Sequence, residues 1–253
     1  MMLESFQLTG QVALVTGCNT GLGKGMAMAL AQAGADVVGV NMTDPSETAA
    51  EVTALGRKFL DLRANLSDTA CLEGVVQKAL GLQGVIHILV NNAGIIRRND
   101  AIDFSEKDWD EVIDLNLKTV FFLSQAVARQ FLKQGTGGKI INIASMLSFQ
   151  GGVRVPSYTA SKSGVMGITR ALANEWASHG INVNAIAPGY MSTDNTAALR
   201  ADAARNASIL ERIPANRWGL PEDLAGPVVF LASAASNYVN GCTLPVDGGW
   251  LAR

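Results

Sequence analysis

The stretch Val12-Ala13-Leu14-Val15-Thr16-Gly17-Cys18-Asn19-Thr20-Gly21-Leu22-Gly23 decides the fold. Its first five residues are an uncharged run of valine, leucine, alanine and threonine, the composition of a strand buried on both faces. The run stops at Gly17, and a helical pattern follows from Leu22 until just before Gly34. Each glycine of the turn has a mechanical use. Gly17 permits the tight exit from the strand, Gly21 lets the backbone approach a pyrophosphate, and Gly23 lets helix and strand pack closely. A helix starting here directs free N–H groups and a positive dipole end at the same phosphates. Many strand–helix turns need glycine for chain reversal alone; what favours a dinucleotide is the position after the first strand of a long α/β pattern.

That pattern runs the length of the chain. Strands are expected at 12–16, 37–41, 58–62, 86–91, 139–144, 181–187 and 243–246, and helices at 22–33, 47–55, 69–80, 106–134, 158–178 and 221–232. Strand–helix alternation with right-handed crossovers gives an α/β fold, a single Rossmann-like domain with a doubly wound parallel sheet of about seven strands and helices on both faces. No linker or repeat divides residues 1–253. Residues 189–214 hold no strand and are rich in small and polar side chains; they are expected to form a mobile lid on the substrate side, helical around 197–210.

Composition excludes several classes. With 48% hydrophobic and 17% charged residues, the chain can build a core and has no charge-rich tail. Its 20 basic and 22 acidic side chains sum to −2, which argues against a nucleic-acid surface or a polybasic membrane anchor. No apolar run approaches the ~18 residues of a membrane span, and 1–10 lacks the pattern of a signal peptide. Cys18, Cys71 and Cys242 are odd in number and form no CxxC pair, so the reducing cytoplasm is the expected compartment. No metal site is expected: His87 and His179 each lack a second ligand nearby, and His87, inside the apolar run 85–90, reads as a packed strand residue.

Candidate chemistry lies further on. Tyr158 and Lys162 stand at i and i+4 on a helix opened by Pro156, hence on one face. An adjacent ammonium favours the phenolate of a tyrosine, bringing its pKa from near 10 toward the range of a working proton donor. Ser145 closes the fifth strand, at the carboxyl edge where open α/β sheets bind ligands. Alone, Tyr-x-x-x-Lys is a common helical pair; the glycine turn and Ser145 add the weight. Asn41 ends the second strand, where an acidic residue would bind both ribose hydroxyls and repel a 2′-phosphate. Asparagine accepts from a hydroxyl but carries no charge to exclude the phosphate. Neither Arg nor Lys occurs at 41–44 or 18–20, and Lys24 is expected to point elsewhere on its helix. The expected cofactor is NAD, with NADP left open.

Thr-Gly-x-x-x-Gly-x-Gly at 16–23, Asn91-Asn92-Ala93-Gly94, Asn116, Ser145, Tyr158-x-x-x-Lys162 and Pro188-Gly189 follow one another in this order. On these motifs the whole chain resembles the short-chain dehydrogenase/reductase family. The resemblance implies hydride exchange between a nicotinamide cofactor and a ketone or secondary alcohol. In it Tyr158 is the proton donor, Ser145 polarises the substrate carbonyl, Lys162 also donates to the nicotinamide ribose, and Asn116 holds a water linking Lys162 to solvent. An ordinary buried structural asparagine is the competing reading of Asn116. The implied cofactor contacts are Gly17, Asn19, Thr20, Gly21, Leu22, Gly23, Asn41, Asn65 at the adenine, Leu66, Asn92, Ala93, Gly94, Tyr158, Lys162, Pro188, Gly189 and Met191. Family members commonly form tetramers through two long helices and the C-terminal strand, so a homotetramer is expected. Trp250 then either reaches a neighbouring subunit or covers its own core.

Arg97, Arg98, Gln150 and Arg154 fall in segments that leave the sheet near the nicotinamide. Several arginines around a small site point to an anion, because the guanidinium fork matches a carboxylate. Arg154 is the first choice for that contact and Arg97 the second, with Leu147 and Gln150 beside them and Tyr158 at the reacting oxygen. Ile95-Ile96-Arg97-Arg98, Ser145-Met146-Leu147-Ser148-Phe149-Gln150-Gly151-Gly152 and Arg217-Trp218-Gly219-Leu220-Pro221 resemble family members that act on a keto-deoxy sugar acid. Those members interconvert a C5 ketone and alcohol, as between 3-deoxy-hexo-2,5-diulosonate and 2-dehydro-3-deoxy-D-gluconate, in pectin breakdown. Gluconate 5-dehydrogenases share much of the pattern. A 3-oxoacyl-carrier-protein reductase has the same catalytic set but would need a basic rim for its acidic partner. A non-enzymatic nucleotide sensor could dispense with Tyr158 or Ser145, and both are present.

Overall fold

The seven apolar runs form one sheet in the computed structural model, which describes residues 2–253. The strands are β1 Val12–Thr16, β2 Asp36–Asn41, β3 Phe59–Arg63, β4 Ile88–Asn91, β5 Gly138–Ile143, β6 Ile181–Pro188 and β7 Thr243–Val246. All pair in parallel, in the order β3-β2-β1-β4-β5-β6-β7. The order reverses between β1 and β4, so the connections leaving these two strands diverge and open a crevice at the carboxyl edge. β1, β2, β4 and β6 are buried at every residue, which is why their sequences do not alternate. The edge strands β3 and β7 are only partly covered.

Alternate side chains of a strand serve opposite layers. Ala13 and Val15 pack with Met26 and Leu30 of α1 (Gly21–Gln32) and Val228 and Leu231 of α9 (Ala225–Ala232). Val12 and Leu14 face the other way, among Val76 of α3 (Leu72–Ala79), Leu123, Val127 and Phe131 of α5 (Thr119–Gln134) and Leu172 of α6 (Pro156–Trp176). α2 (Ser46–Ala54) lies between β2 and β3 in the chain.

Local chemistry moves several expected boundaries. The helix expected at 106–134 is divided: α4 covers Glu106–Ile113, a π-helical turn takes Asp114–Lys118, and α5 continues from Thr119. The widened turn carries the buried Asn116. The helix expected from 69 starts as a 3₁₀ turn in which the Asp68 carboxylate accepts from the Ala70 N–H, and becomes α-helical at Leu72. β4 begins at Ile88 rather than 86, because the His87 ring takes a ladder position: its Nδ1 accepts from the Val12 N–H at 3.0 Å. That contact needs an unprotonated nitrogen, and burial lowers the His87 pKa accordingly.

The segment 189–214 is ordered into two short helices, α7 (Ala197–Ala201) and α8 (Ala203–Arg212). Its base is closed where Ser192 N–H donates to Gly219 O (2.7 Å) and Gly219 N–H to Tyr190 O (2.9 Å). Ile209 and Ile213 pack on Met146 and Trp250 in a separate apolar cluster beside the crevice. Trp250 therefore covers part of its own chain.

Phe131 is fully buried against the Gly138 backbone, and a Cβ there would collide with its ring. Phe131→Ala is expected to cost about 3–5 kcal/mol of stability, read as a lower denaturant midpoint; a loss under about 1 kcal/mol would contradict this packing.

Candidate active site

The crevice is a cleft of about 1040 Å³ running from the glycine turn to α8. At one end stand Gly17, Asn19, Thr20, Gly21, Leu22 and Gly23. Gly17 (φ +64°) and Gly21 (φ +55°) occupy the left-handed region that disfavours side chains, and a Cβ on Gly23 would overlap the Gly17 carbonyl and the Asn92 amide. Thr20 precedes α1 without capping it through its side chain, so the first N–H groups of α1 stay available to an anion. Lys24 turns away to Glu47 and Glu51 of α2, as expected (2.8 and 2.9 Å).

Side chains on neighbouring strands hold this turn. Thr16 Oγ1 accepts from the Asn92 and Ala93 N–H groups (3.0 and 2.9 Å), and Asn92 Nδ2 donates to the Thr16 and Gly17 carbonyls (2.9 Å each). Asn41 lines the cleft at the end of β2. Its amide N–H₂ donates weakly to Cys18 Sγ (3.6 Å), while its Oδ1 is buried without a donor. An unpartnered buried acceptor, an uncapped helix start and a cradle that a Cβ would fill together fit a dinucleotide. Leu66, Asn92, Ala93, Gly94 and Gly189 also line the cleft. Asn65, Pro188 and Met191 do not: Asn65 Oδ1 accepts from Ser67 N–H, Pro188 is interior to the sheet, and Met191 packs in the α1–α9 layer.

Ser145, Tyr158 and Lys162 meet at the middle of the cleft. Ser145 follows β5 and accepts from Leu147 N–H (3.1 Å), and the Ser148 hydroxyl donates to the Lys162 carbonyl (2.6 Å), which ties this loop to α6. Lys162 is buried; its Nζ donates to the Ile143 carbonyl (2.7 Å) and stands 5.6 Å from the centre of the Tyr158 ring. Burial pushes the Tyr158 pKa up, opposed by a hydrogen bond with Ser145 and the positive charge of Arg98. Burial brings Lys162 down to about 8. Lys162 Nζ thus stands beside the Tyr158 ring, where the sequence expectation puts it. The ammonium is desolvated and donates to a main-chain carbonyl, while Ser145 and Arg98 oppose the effect of burial on Tyr158.

Asn116 is not in the wall of the cleft. The π turn aims it at Ile95, whose N–H donates to Asn116 Oδ1 (2.9 Å) and whose carbonyl accepts from Nδ2 (2.8 Å). It thus shapes the segment after Gly94 from behind. Below the site, Asn91 Nδ2 donates to Ser124 Oγ (2.9 Å) and Asn142 Oδ1 (2.8 Å), and Asn142 Nδ2 to Thr169 Oγ1 (3.0 Å).

The substrate-side expectations divide. Leu147, Gln150 and Arg154 line the cleft, whereas Arg97 does not. Arg97 Nη2 pairs with Glu111 (2.8 Å) and its Nε lies 3.6 Å from Asp108, because consecutive side chains diverge and its neighbour Arg98 takes the inward position. Arg154 has φ +64° and pairs with Asp100 (2.9 Å). Among the described residues no cluster of three His, Cys, Asp or Glu could hold a metal.

A family model described as enoyl-(acyl carrier protein) reductase matches residues 17–251. Over all 253 residues, covering both proteins completely, the chain is 69% identical to the 2-dehydro-3-deoxy-D-gluconate 5-dehydrogenase of Dickeya dadantii and 67% identical to that of Escherichia coli. A crystal structure of a putative 2-deoxy-d-gluconate 3-dehydrogenase from Agrobacterium tumefaciens with bound NADP superposes with TM-score 0.93 at 58% identity, covering 98% of this chain and 99% of that one. The chain belongs to the short-chain dehydrogenase/reductase family. It is an oxidoreductase acting on CH–OH and C=O groups with a nicotinamide cofactor.

Within this short-chain dehydrogenase/reductase fold, sequence reasoning overlooked Arg205 and Arg212, which reach the cleft from α8. A signal was present: they are seven residues apart, hence on one helical face, with Ile209 between them on the same stripe. Thr16 was also missed, since a strand-end threonine announces nothing until β4 is beside it.

Tyr158→Phe is expected to lower kcat by about 10²–10⁴-fold with cofactor binding retained; unchanged ketone reduction would remove Tyr158 from proton transfer. In the cofactor-free protein the lowered Lys162 pKa penalises its charged form, a penalty that is relieved as pH rises above about 8. Wild type is thus expected to gain on Lys162→Met by up to about 1.4 kcal/mol per pH unit between about 8 and 10, followed by thermal unfolding; a pH-independent difference would contradict the burial.

Proposed function

We propose that this oxidoreductase interconverts the C5 ketone of 3-deoxy-hexo-2,5-diulosonate and the C5 alcohol of 2-dehydro-3-deoxy-D-gluconate, with NAD as the cofactor. The observation that carries this is a cleft joining the Ser145–Tyr158–Lys162 centre to an end walled by Arg98, Arg154, Arg205 and Arg212, which suits an acidic substrate of short length. Full-length identity of 67–69% to dehydrogenases of that name supports the same substrate class. Bound in the cleft, the cofactor supplies or receives the hydride. The protein's own residues do the rest. Ser145 orients the carbonyl oxygen, and Tyr158 gives it a proton in reduction or takes it back in oxidation. Lys162, held on the Ile143 carbonyl, keeps the Tyr158 ring in register, and Asn116 sets the neighbouring Ile95 backbone.

NAD is favoured by the end of β2. The free Oδ1 of Asn41 suits a ribose hydroxyl, and Asn41, Met42, Thr43 and Asp44 include no cation. Arg63, paired with Asn41 in the sheet register, is already taken by Asp44 and Asp61 (2.7 Å each). The segment 189–214 is the substrate lid of this reading, with α8 as its inner wall. The free thiols of Cys18, Cys71 and Cys242 suit a reducing cytoplasm, where pectin-derived acids would be consumed. A homotetramer is supported by Phe122 and Leu132, apolar side chains exposed on α5. Among the described residues no helix is long and apolar enough to cross a membrane.

Purified protein is expected to reduce 3-deoxy-hexo-2,5-diulosonate with NADH at least about ten-fold more efficiently than with NADPH, a margin of about 1.4 kcal/mol. It is expected to leave acetoacetyl thioesters untouched. A preference for NADPH would overturn the Asn41 argument, and turnover of the thioester alone would overturn the substrate.

A further inference from the structure

The arginines near the substrate end differ in what already neutralises them. Arg97 is spent on Glu111 outside the wall, and Arg154 on Asp100. Arg98 donates to the Asn195 carbonyl (3.2 Å). Among the described residues, no carboxylate lies within ion-pair distance of Arg205 or Arg212, so each presents a whole charge to the cleft.

Arg212 is also immobilised. Its guanidinium carbon lies 4.0 Å from the centre of the Trp250 ring, and Nη2 donates to Gln150 Oε1 at 3.2 Å. Trp250 is 4% exposed and is wedged edge-on against Tyr190 with ring centres 4.8 Å apart. The end of α8 is fixed as well, by the Arg253 guanidinium donating to the Glu211 and Arg212 carbonyls (2.6 and 3.2 Å). A flat aromatic surface holds the plane of a guanidinium while leaving its edge free for in-plane donors. The ordering entropy of a long side chain is therefore met before any ligand arrives.

We propose that Arg212, stacked on Trp250, binds the substrate carboxylate, with Gln150 as its co-ligand. This rests on the keto-deoxy acid reading above and deepens it. One Nη donor is engaged by Gln150; the remaining N–H groups along the guanidinium edge meet the carboxylate in two-point fashion. The Gln150 amide N–H₂, which has no acceptor among the described residues, adds a donor from the loop after Ser145. Because Ser145 and Gln150 share that loop, an acid spanning them is aligned with its ketone at Tyr158. A neutral sugar of the same length would leave the Arg212 charge without its counter-ion. Specificity for acids therefore resides on α8.

The test compares wild type, Arg212→Gln, Arg212→Lys and Arg154→Gln on 2-dehydro-3-deoxy-D-gluconate and on its methyl ester, with NADH binding measured separately by fluorescence. Arg212→Gln is expected to raise KM for the acid by about 10–100-fold, the scale of a hydrogen-bonded charged contact, while kcat stays within about two-fold and KM for the ester stays put. Arg212→Lys should recover part of the loss, since it keeps the charge but not the fork. NADH affinity should be the same in all four proteins. An unchanged KM in Arg212→Gln, or a rise seen only in Arg154→Gln, overturns the Arg212 assignment and leaves the substrate reading intact. A wild type that handles acid and ester equally likewise overturns the Arg212 assignment, and one that turns over neither overturns the substrate reading itself.

Discussion

The crevice depends on the stitch between the β1 turn and the β4 turn. The two turns leave adjacent parallel strands and run to opposite faces, so nothing in the sheet ladder itself holds them together beyond the last residue pair. Thr16 Oγ1 and the Asn92 amide close that gap with four hydrogen bonds to main-chain atoms. Each such bond is modest alone, but the groups joined lie partly out of water, where a missing partner costs more than a made bond gains. With the stitch in place Gly23 has no room for a side chain, and the mouth of α1 is fixed toward the cleft.

A second tier of polar contacts transmits this rigidity to the chemistry. Asn91 on β4 is bonded to Asn142 on β5, and Asn142 to Thr169 on α6. The next residue of β5 supplies the carbonyl that holds Lys162, and the Ser148 hydroxyl holds the Lys162 main chain. Ser145 follows β5 while Tyr158 and Lys162 stand on α6, and their spacing is set by this chain of satisfied buried groups around them. The π turn at Asn116 performs the same service on the other wall, by fixing Ile95. Buried polar networks of this kind are rigid when every member is satisfied.

Much of this was legible in the residues. Buried parallel strands read as unbroken apolar runs, and the glycine turn, the Tyr–Lys pair and the strand-end serine, each common alone, gain their meaning from occurring in one order along the chain. What misled was proximity in sequence. Arg97 and Arg98 are adjacent, yet one faces Glu111 and the other the cleft, a choice made by side-chain direction in an irregular segment. Arg205 and Arg212 lie far along the chain and reach the site only because α8 folds back onto Met146 and Trp250. Helical spacing brings Lys162 beside Tyr158, but its burial and its bond to the Ile143 carbonyl depend on β5 being packed against α6.

By itself, then, the sequence determined the α/β class of about seven parallel strands and the dinucleotide end, which follow from periodicity and short-range stereochemistry, while Ser145, Tyr158 and Lys162 were marked out by the family resemblance that their ordered motifs carry. Only the tertiary structure decided which arginines lack a carboxylate partner, where Asn116 points and which groups act on the buried Tyr158. Those properties depend on carboxylates, carbonyls and rings brought in from distant positions, and on how completely water is excluded around them. Pairing and desolvation are set by neighbours in space, which no local pattern of residues encodes.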